Sequence, residues 1–190
     1  MAYVALLDAS VLHPWVVCDL LLRLAERGLF RPAWSAEILD ELVESLIERR
    51  PEHAERFQRR RERMEAAFAE AMTDRPGRFL PAVSEEVDAG DHHVVAAALA
   101  ARADVIVTNN IRHFAPERLA ESGLLVQTVD EFLIHQWWLE PQGVDEVLAE
   151  MAAATSRPPL SVAEVLESIR RFAPEFVGLV ERGSPPGDGA

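Results

Sequence analysis

Lysine is absent. All 19 basic residues are arginine, set against 32 acidic ones, and the formal net charge is −13. That argues against sequence-independent binding of nucleic acid by the surface as a whole, because phosphate affinity comes mainly from Lys and Arg releasing condensed counterions. Cysteine is almost absent as well: Cys18 stands alone, which excludes an internal disulfide framework and a cysteine-built zinc site and fits a reducing compartment. No apolar run approaches the 18 residues a membrane span needs. Asp8 interrupts the opening "MAYVALLDASVL" too early for a secretory leader. The expectation is a soluble, cytoplasmic protein with no membrane association. A glycine-rich phosphate loop is missing, and "LLDAS" (6–10) has no second Asp two residues after the first, which disfavours a nucleotide-binding or phosphatase α/β enzyme.

What is present is an apolar half of the chain, 49% of 190 residues, enough for one good core or one core plus an appendage. "YVALLDAS" (3–10) reads as a buried parallel strand running into a helix that Asp8 or Ser10 could cap. "PWVVCDLLLRLAERG" (14–28) has helical apolar spacing and stops at Gly28. "SAEILDELVESLIERR" (35–50) opens on Ser35, carries Ile38, Leu39, Leu42, Leu46 and Ile47 on one face, and ends before Pro51. A second, arginine-rich helix is expected to about Met72. "RFLPAV" (78–83) reads as a short strand, "HHVVAAALAARA" (92–103) as a buried helix and "DVIVT" (104–108) as the next strand. "GLLVQTV" (123–129) reads as a strand and "DEFLIHQWWLE" (130–140) as a helix, with Trp137 and Trp138 packing that helix against a C-terminal extension. Helix and strand in alternation with short connections predict an α/β fold around a parallel sheet covered on both faces.

Composition changes from Pro141. "GVDEVLAEMAAATS" (143–156), the pair Pro158 and Pro159, and "SVAEVLESIRRFAPEFVGLVERG" (161–183) form a helical extension whose stripe of Leu160, Val162, Val165, Leu166, Ile169, Phe172, Phe176 and Leu179 must be covered by something. We read residues 1–140 as the core domain, 141–182 as the extension and 183–190 as a disordered tail.

The stretch "DAGDHHVVAAALAARADVIVTNN" (88–110) has an acidic pair at one end and an asparagine pair at the other, with a helix and a strand between. In α/β chains functional residues gather at the carboxyl ends of the strands. Asp8 and Asn110 therefore belong to one edge, and Asp91 joins them if its helix starts near the strand tips. Three carboxylates, Asp8, Glu41 and Asp91, with the amide of Asn110 and no Cys or His ligand pattern, suit Mg²⁺ or Mn²⁺ better than zinc. Each residue also has an ordinary structural use. Asp8 and Asp91 could cap helices, Glu41 could be one more exposed helical Glu beside Asp40 and Glu44, and Asn109 and Asn110 are common turn formers. His92 and His93 read as a helix-start pair. "RRPEHAERFQRRRER" (49–63) gathers seven arginines, either as a solvated face with interleaved Glu or as a patch facing phosphate or an acidic partner.

The ordered set "LLDAS", "SAEILDEL", "DAGDHHVVAAALAARADVIVTNNIRHF" and "VDEFL" resembles the PIN-domain family, and within it the VapC-like ribonuclease toxins of bacterial toxin–antitoxin pairs, over residues 3 to about 135. The resemblance implies a three-layer α/β/α fold with a parallel sheet, here with a C-terminal helical extension. It also implies a Mg²⁺- or Mn²⁺-dependent endoribonuclease that hydrolyses RNA phosphodiester bonds with a metal-activated water. It implies metal ligation and catalysis by Asp8, Glu41, Asp91 and Asn110, with Ser10 following the first motif and Asp88 auxiliary. Many relatives carry Asp in "TxD" at the fourth position, whereas this chain has "TNN". A branch with "VT-x-N" followed by a basic residue and Phe matches it there. Asn110 also leaves open a catalytically silent PIN domain that binds RNA or serves assembly. RNA contacts are expected from Arg59, Arg60, Arg63 and Arg112. The expected partners are RNA, a cognate antitoxin protein and a second copy of the chain.

Overall fold

The computed structural model describes residues 3–154 and 160–183. The expected Pro158–Pro159 break, and the expected tail from residue 184 on, lie outside the described residues. The chain groups into two compact units. One takes the described residues up to His13 with Phe30–Gln127; the other takes Pro14–Leu29 with the described residues from Thr128 onward.

In the first unit, β1 (Val4–Leu7), β2 (Arg31–Ala33), β3 (Val105–Val107) and β4 (Leu125–Gln127) form a parallel sheet in the order β2-β1-β3-β4. The central pair is in register Leu6↔Ile106 and Leu7↔Val107, and these four side chains are fully buried. Continuous aliphatic runs such as "VALL" and "VIV" are what a parallel strand covered on both faces requires, and each such side chain contributes about 1.5–3 kcal/mol by burial. The α/β expectation holds. The chain leaves β1 for β2 on one side and returns to β3 on the other, so the strand order reverses between β1 and β3. The carboxyl ends of those two strands are thus the switch point where α/β sheets open a crevice.

The α-helices of this unit among the described residues are α1 (Ala9–Leu12), α3 (Ala36–Arg49), α4 (Ala54–Ala67), α5 (His92–Ala101) and α6 (Pro116–Ala120). Ser35 caps α3 by accepting the Ile38 amide, and Ile38, Leu39, Leu42 and Val43 form its buried face. Val94, Val95 and Ala96–Ala98 are all buried, so α5 packs on nearly its whole circumference.

The structure corrects several sequence readings. "RFLPAV" is no strand: Pro76–Ala82 is a 3-10 helix laid on α5, because Pro76 and Pro81 lack the amide donors that a sheet ladder needs. β2 escaped the sequence reading because it is three residues long and includes Pro32, which is tolerated there at the sheet edge. The arginine-rich helix stops at Ala67 instead of near Met72. Trp34, fully buried, draws the following segment alongside β2, donating its amide to the Ala71 carbonyl at 3.0 Å and accepting the Thr73 amide at 2.9 Å.

The second unit contains α2 (Trp15–Glu26), α7 (Val129–Leu139), α8 (Pro141–Ala154), α9 (Val162–Arg170) and α10 (Pro174–Arg182). Thr128 with Glu131 and Ser161 with Glu164 form capping boxes that start α7 and α9. Composition places the boundary after residue 140; the compact unit takes in α7 and α2 as well. The apolar stripe expected to be covered by something is half buried: it is broken before Pro174 into two helices, Val165, Leu166, Ile169 and Phe176 are buried, Phe172 and Leu179 are half-buried, and Leu160 and Val162 are exposed. Asp130 fixes the break by accepting the amides of Glu175 and Phe176 at 3.1 and 2.8 Å. Trp137 is buried as expected, whereas Trp138 is 55% exposed and packs no core.

Candidate active site

Asp8 follows β1 and precedes α1, yet its side chain does not cap that helix. Ser10 Oγ donates to Asp8 Oδ2 at 2.6 Å, and Thr108 Oγ1 donates to the same oxygen at 2.7 Å. Oδ1 takes neither bond and has no hydrogen-bond partner among the described residues. The residue is 3% exposed. Burial raises the Asp8 pKa above the usual carboxylate range; the Ser10 and Thr108 hydroxyls pull it back in part, and the charges of Glu41 and Asp91 push it up further. All three sequence-proposed carboxylates therefore stand within electrostatic reach of one another's site, at the carboxyl edge of β1 and β3.

Asp91 sits at the start of α5, also without capping it. Its Oδ2 lies 3.0 Å from His113 Nδ1. The His113 carbonyl accepts the Asp88 amide at 2.8 Å, so the two turns carrying Asp91 and Asn110 are joined at two points. Asp88 itself accepts the Gly90 amide, a capping role. Glu41 projects from α3 with its side chain 55% exposed, and its Oε2 lies 3.4 Å from His93 Nε2. Glu41 holds the His93 imidazole above its usual pKa, against the lowering effect of burial. His92 serves structure: its Nε2 meets the Val87 carbonyl at 2.9 Å.

The asparagine pair divides its labour. Asn109 is tied to Ser10, its amide donating to Oγ at 3.0 Å and its Nδ2 to the backbone oxygen at 3.2 Å. Asn110 donates its backbone amide to Thr108 Oγ1 at 3.0 Å, while its exposed side chain makes no hydrogen bond among the described residues. Of the arginines expected to meet RNA, Arg59, Arg63 and Arg112 are exposed. Arg60 is not available to RNA in that way. It is 9% exposed and donates to the Leu12 carbonyl at 2.5 Å, because the α4 face that carries it packs inward with Met64.

The donor set fits a hard divalent cation. It offers carboxylate and amide oxygens and a buried carboxylate whose Oδ1 is unpartnered and whose charge lacks a compensating cation. As the side chains stand, no three His, Cys, Asp or Glu groups among the described residues are gathered closely enough to hold one ion. Glu41 and Asp91 are each turned toward a histidine, His93 and His113.

Residues 4–112 match the family model described as PIN domain. The chain belongs to the PIN-domain family. Residues 129–182 match a second model, the VapC50 C-terminal domain, and fall within the helical unit. The chain is 33% identical over 97 residues to a Mycobacterium tuberculosis (strain ATCC 25618 / H37Rv) protein named "Putative ribonuclease VapC50". That match covers 51% of this chain and 57% of the other protein. No solved structure matches. No helix among the described residues is long and apolar enough to cross a membrane.

Around the PIN-domain carboxylates, sequence reasoning missed Thr108 and His113 as partners of the acidic groups. Thr108 carried a signal, a fully buried hydroxyl at the end of an aliphatic strand. His113 carried none that spacing could expose, since its contact with Asp91 depends on how two turns meet.

Proposed function

We propose that the protein is a divalent-metal-dependent endoribonuclease, the toxin of a toxin–antitoxin pair, acting in the cytoplasm. The observation that carries the reading is the buried Asp8, with Oδ1 free and the charges of Glu41 and Asp91 acting on it, at the switch point of a PIN-domain sheet. The name of the mycobacterial relative supports ribonuclease over other phosphodiester chemistry.

Asp8 and Asp91 would hold Mg²⁺ or Mn²⁺, with Glu41 and Asn110 completing the set. The bound ion supplies Lewis acidity at the phosphate and lowers the pKa of water. Ser10 and Thr108 hold Asp8 in one orientation through Oδ2, which leaves Oδ1 without a partner. Glu41, exposed on α3, swings in to orient the attacking water. Asn110 holds a water through its free amide. Arg112, two residues from Asn110, together with Arg59 and Arg63, binds phosphates of a single-stranded or looped RNA, whose bases can be splayed out.

The test is cleavage of a structured RNA with Mg²⁺ or Mn²⁺, comparing the wild type with Asp8→Asn. Cleavage that needs the cation and vanishes in the variant supports the reading; none by the folded wild type with either cation removes it. A second reading keeps one observation on its side, the uncharged amide at residue 110. A silent PIN domain would retain RNA in the same assay without releasing product.

For partners, we propose an antitoxin protein and a homodimer. Trp15, Trp138 and Leu139 are each more than half exposed on the helical unit, and Trp138 and Leu139 are adjacent at the end of α7, apolar groups that a protein partner can cover. Expression alone should slow growth of a bacterial host, and the product of the neighbouring gene should relieve it. Light scattering of the purified chain reports the dimer.

A further inference from the structure

We propose that His93 is a positioning residue of the metal site: it tethers the Glu41 carboxylate of α3 to the Gly90–Asp91 turn, so that one carboxylate oxygen is held and the other is left for the cation or its water. The proposal rests on the ribonuclease reading and deepens it by giving the most exposed of the three carboxylates an orienting partner.

One imidazole makes both ends of the tether. His93 stands in the first turn of α5, two residues after Asp91, with its side chain 16% exposed. Nδ1 lies 2.9 Å from the Gly90 carbonyl and donates to it, since a carbonyl only accepts. Nε2 is buried, has no hydrogen-bond partner among the described residues, and forms an ion pair with Glu41 Oε2 at 3.4 Å. The ring therefore reaches from the backbone beside Asp91 to a side chain of α3, the helix that packs on α5.

The same arrangement recurs at all three carboxylates. Asp8 is held through Oδ2 by Ser10 and Thr108, Asp91 through Oδ2 by His113, and Glu41 through Oε2 by His93. The second oxygen of each, Oδ1 of Asp8 and Asp91 and Oε1 of Glu41, has no hydrogen-bond partner among the described residues. Carboxylates that ligate a cation are themselves held by outer groups that fix their orientation. Glu41 needs such a holder most, because a half-exposed glutamate has one more rotatable bond than an aspartate and loses more freedom when it is ordered. Two plainer uses of the contact predict different behaviour. A half-exposed ion pair between two helices adds little to stability and would show in thermal unfolding alone. A histidine that only occupies the carboxylate until a cation takes it is a competitor, and its removal would tighten metal binding.

Titration of Mn²⁺ alone into the full chain, followed by calorimetry, separates these uses. Alanine removes both arms of the ring. Asparagine keeps an N–H near Nδ1, toward Gly90, and drops the Glu41 arm; glutamine places an N–H near Nε2, toward Glu41, and drops the Gly90 arm. His93→Ala and His93→Asn should each weaken Mn²⁺ binding by about tenfold, and His93→Gln should restore most of the loss. Glu41→Gln should weaken binding by itself, and His93→Ala added to it should cost nothing more, because the histidine acts through Glu41. Thermal unfolding without metal verifies the fold of each variant. Wild-type affinity in His93→Ala, tighter binding in it, or a full second loss in the Glu41→Gln background overturns the tether and leaves the metal site standing. If Glu41→Gln binds Mn²⁺ as the wild type does, Glu41 is no ligand and the tether falls, while the centre at Asp8 remains. If the folded wild type binds no Mn²⁺, the metal-dependent reading and the tether fall together.

Discussion

Thr108 Oγ1 donates to Asp8 Oδ2 across 2.7 Å, joining the ends of β3 and β1 through residues 100 positions apart. The bond fixes a carboxylate that the fold would be more stable without. Its pKa is raised in the folded state, so its favourable contribution to stability is full at acid pH and is lost as pH rises through the folded value. An ionised Asp8 costs the fold stability, chiefly through its burial.

Asp8→Asn should therefore raise stability at neutral pH and abolish cleavage together. The amide oxygen can still accept from Ser10 and Thr108, and the charge is gone. A gain of 1 kcal/mol corresponds to about 2–4 °C in a chain of this size. Cleavage should fall by about 10²–10³-fold, the loss seen when one electrostatic stabiliser leaves an active site. Thermal melts without metal, paired with the RNA assay, check it; a lower melting temperature with full activity would reverse both halves.

His113 pins Asp91 from the neighbouring turn, Nδ1 to Oδ2 at 3.0 Å. Asparagine places a side-chain N–H near the position of Nδ1, so His113→Asn should keep Mn²⁺ affinity close to that of the wild type. His113→Ala should weaken it by about tenfold, as removal of a group that orients a ligand does. Calorimetric titration with Mn²⁺ alone reads this without requiring turnover. Equal affinity in the alanine variant would leave the histidine with no positioning role.

The sheet was legible because "VALL" and "VIV" can be little else than buried strands, and the place of Asp8 because a polar residue directly after such a strand falls at its carboxyl edge. What sequence could not supply was which polar groups meet. Asp8 and Asp91 both occupy the position of a helix cap, and only the geometry shows that neither caps: one carboxylate turns to two hydroxyls and the other to His113. Arg60 stands within an arginine run where each residue looks exposed; one face of a helix points inward, and that residue lies on it. The strand read into "RFLPAV" fails because apolar content outweighs two prolines in the reading, and the prolines decide.

His13 makes stability depend on pH in the opposite sense to Asp8. Its folded pKa is lowered, chiefly by burial and then by Arg49 and Arg60, so the imidazole is kept neutral in the fold. The contribution is present above the ordinary histidine value of about 6.5 and is lost as pH falls through the folded value. Urea midpoints measured from about pH 8 down to about pH 5 should fall more for the wild type than for His13→Gln, which has no proton to gain in this range. Parallel curves would show that the site does not resist protonation.

Asn110 gives the proposed metal site its sharpest test. Its backbone is held by Thr108, but its side chain is exposed and unbonded, so a purely local turn role gives the amide nothing to do. An amide can offer a hard cation its carbonyl oxygen or hold a water, yet it lacks a carboxylate's charge. Asn110→Asp should tighten Mn²⁺ binding by about tenfold and lower the metal concentration for half-maximal cleavage by a similar factor. Asn110→Ala should weaken binding while leaving the unfolding midpoint within about 0.5 kcal/mol of wild type, since it removes no contact within the fold. Calorimetry of Mn²⁺ into the three proteins gives the answer. Superimposable isotherms would take Asn110 out of the site and leave the cation to Asp8, Glu41 and Asp91. A tighter aspartate variant that cuts no faster at saturating metal would show that residue 110 governs occupancy, while the chemistry rests with the buried carboxylate and its two neighbours.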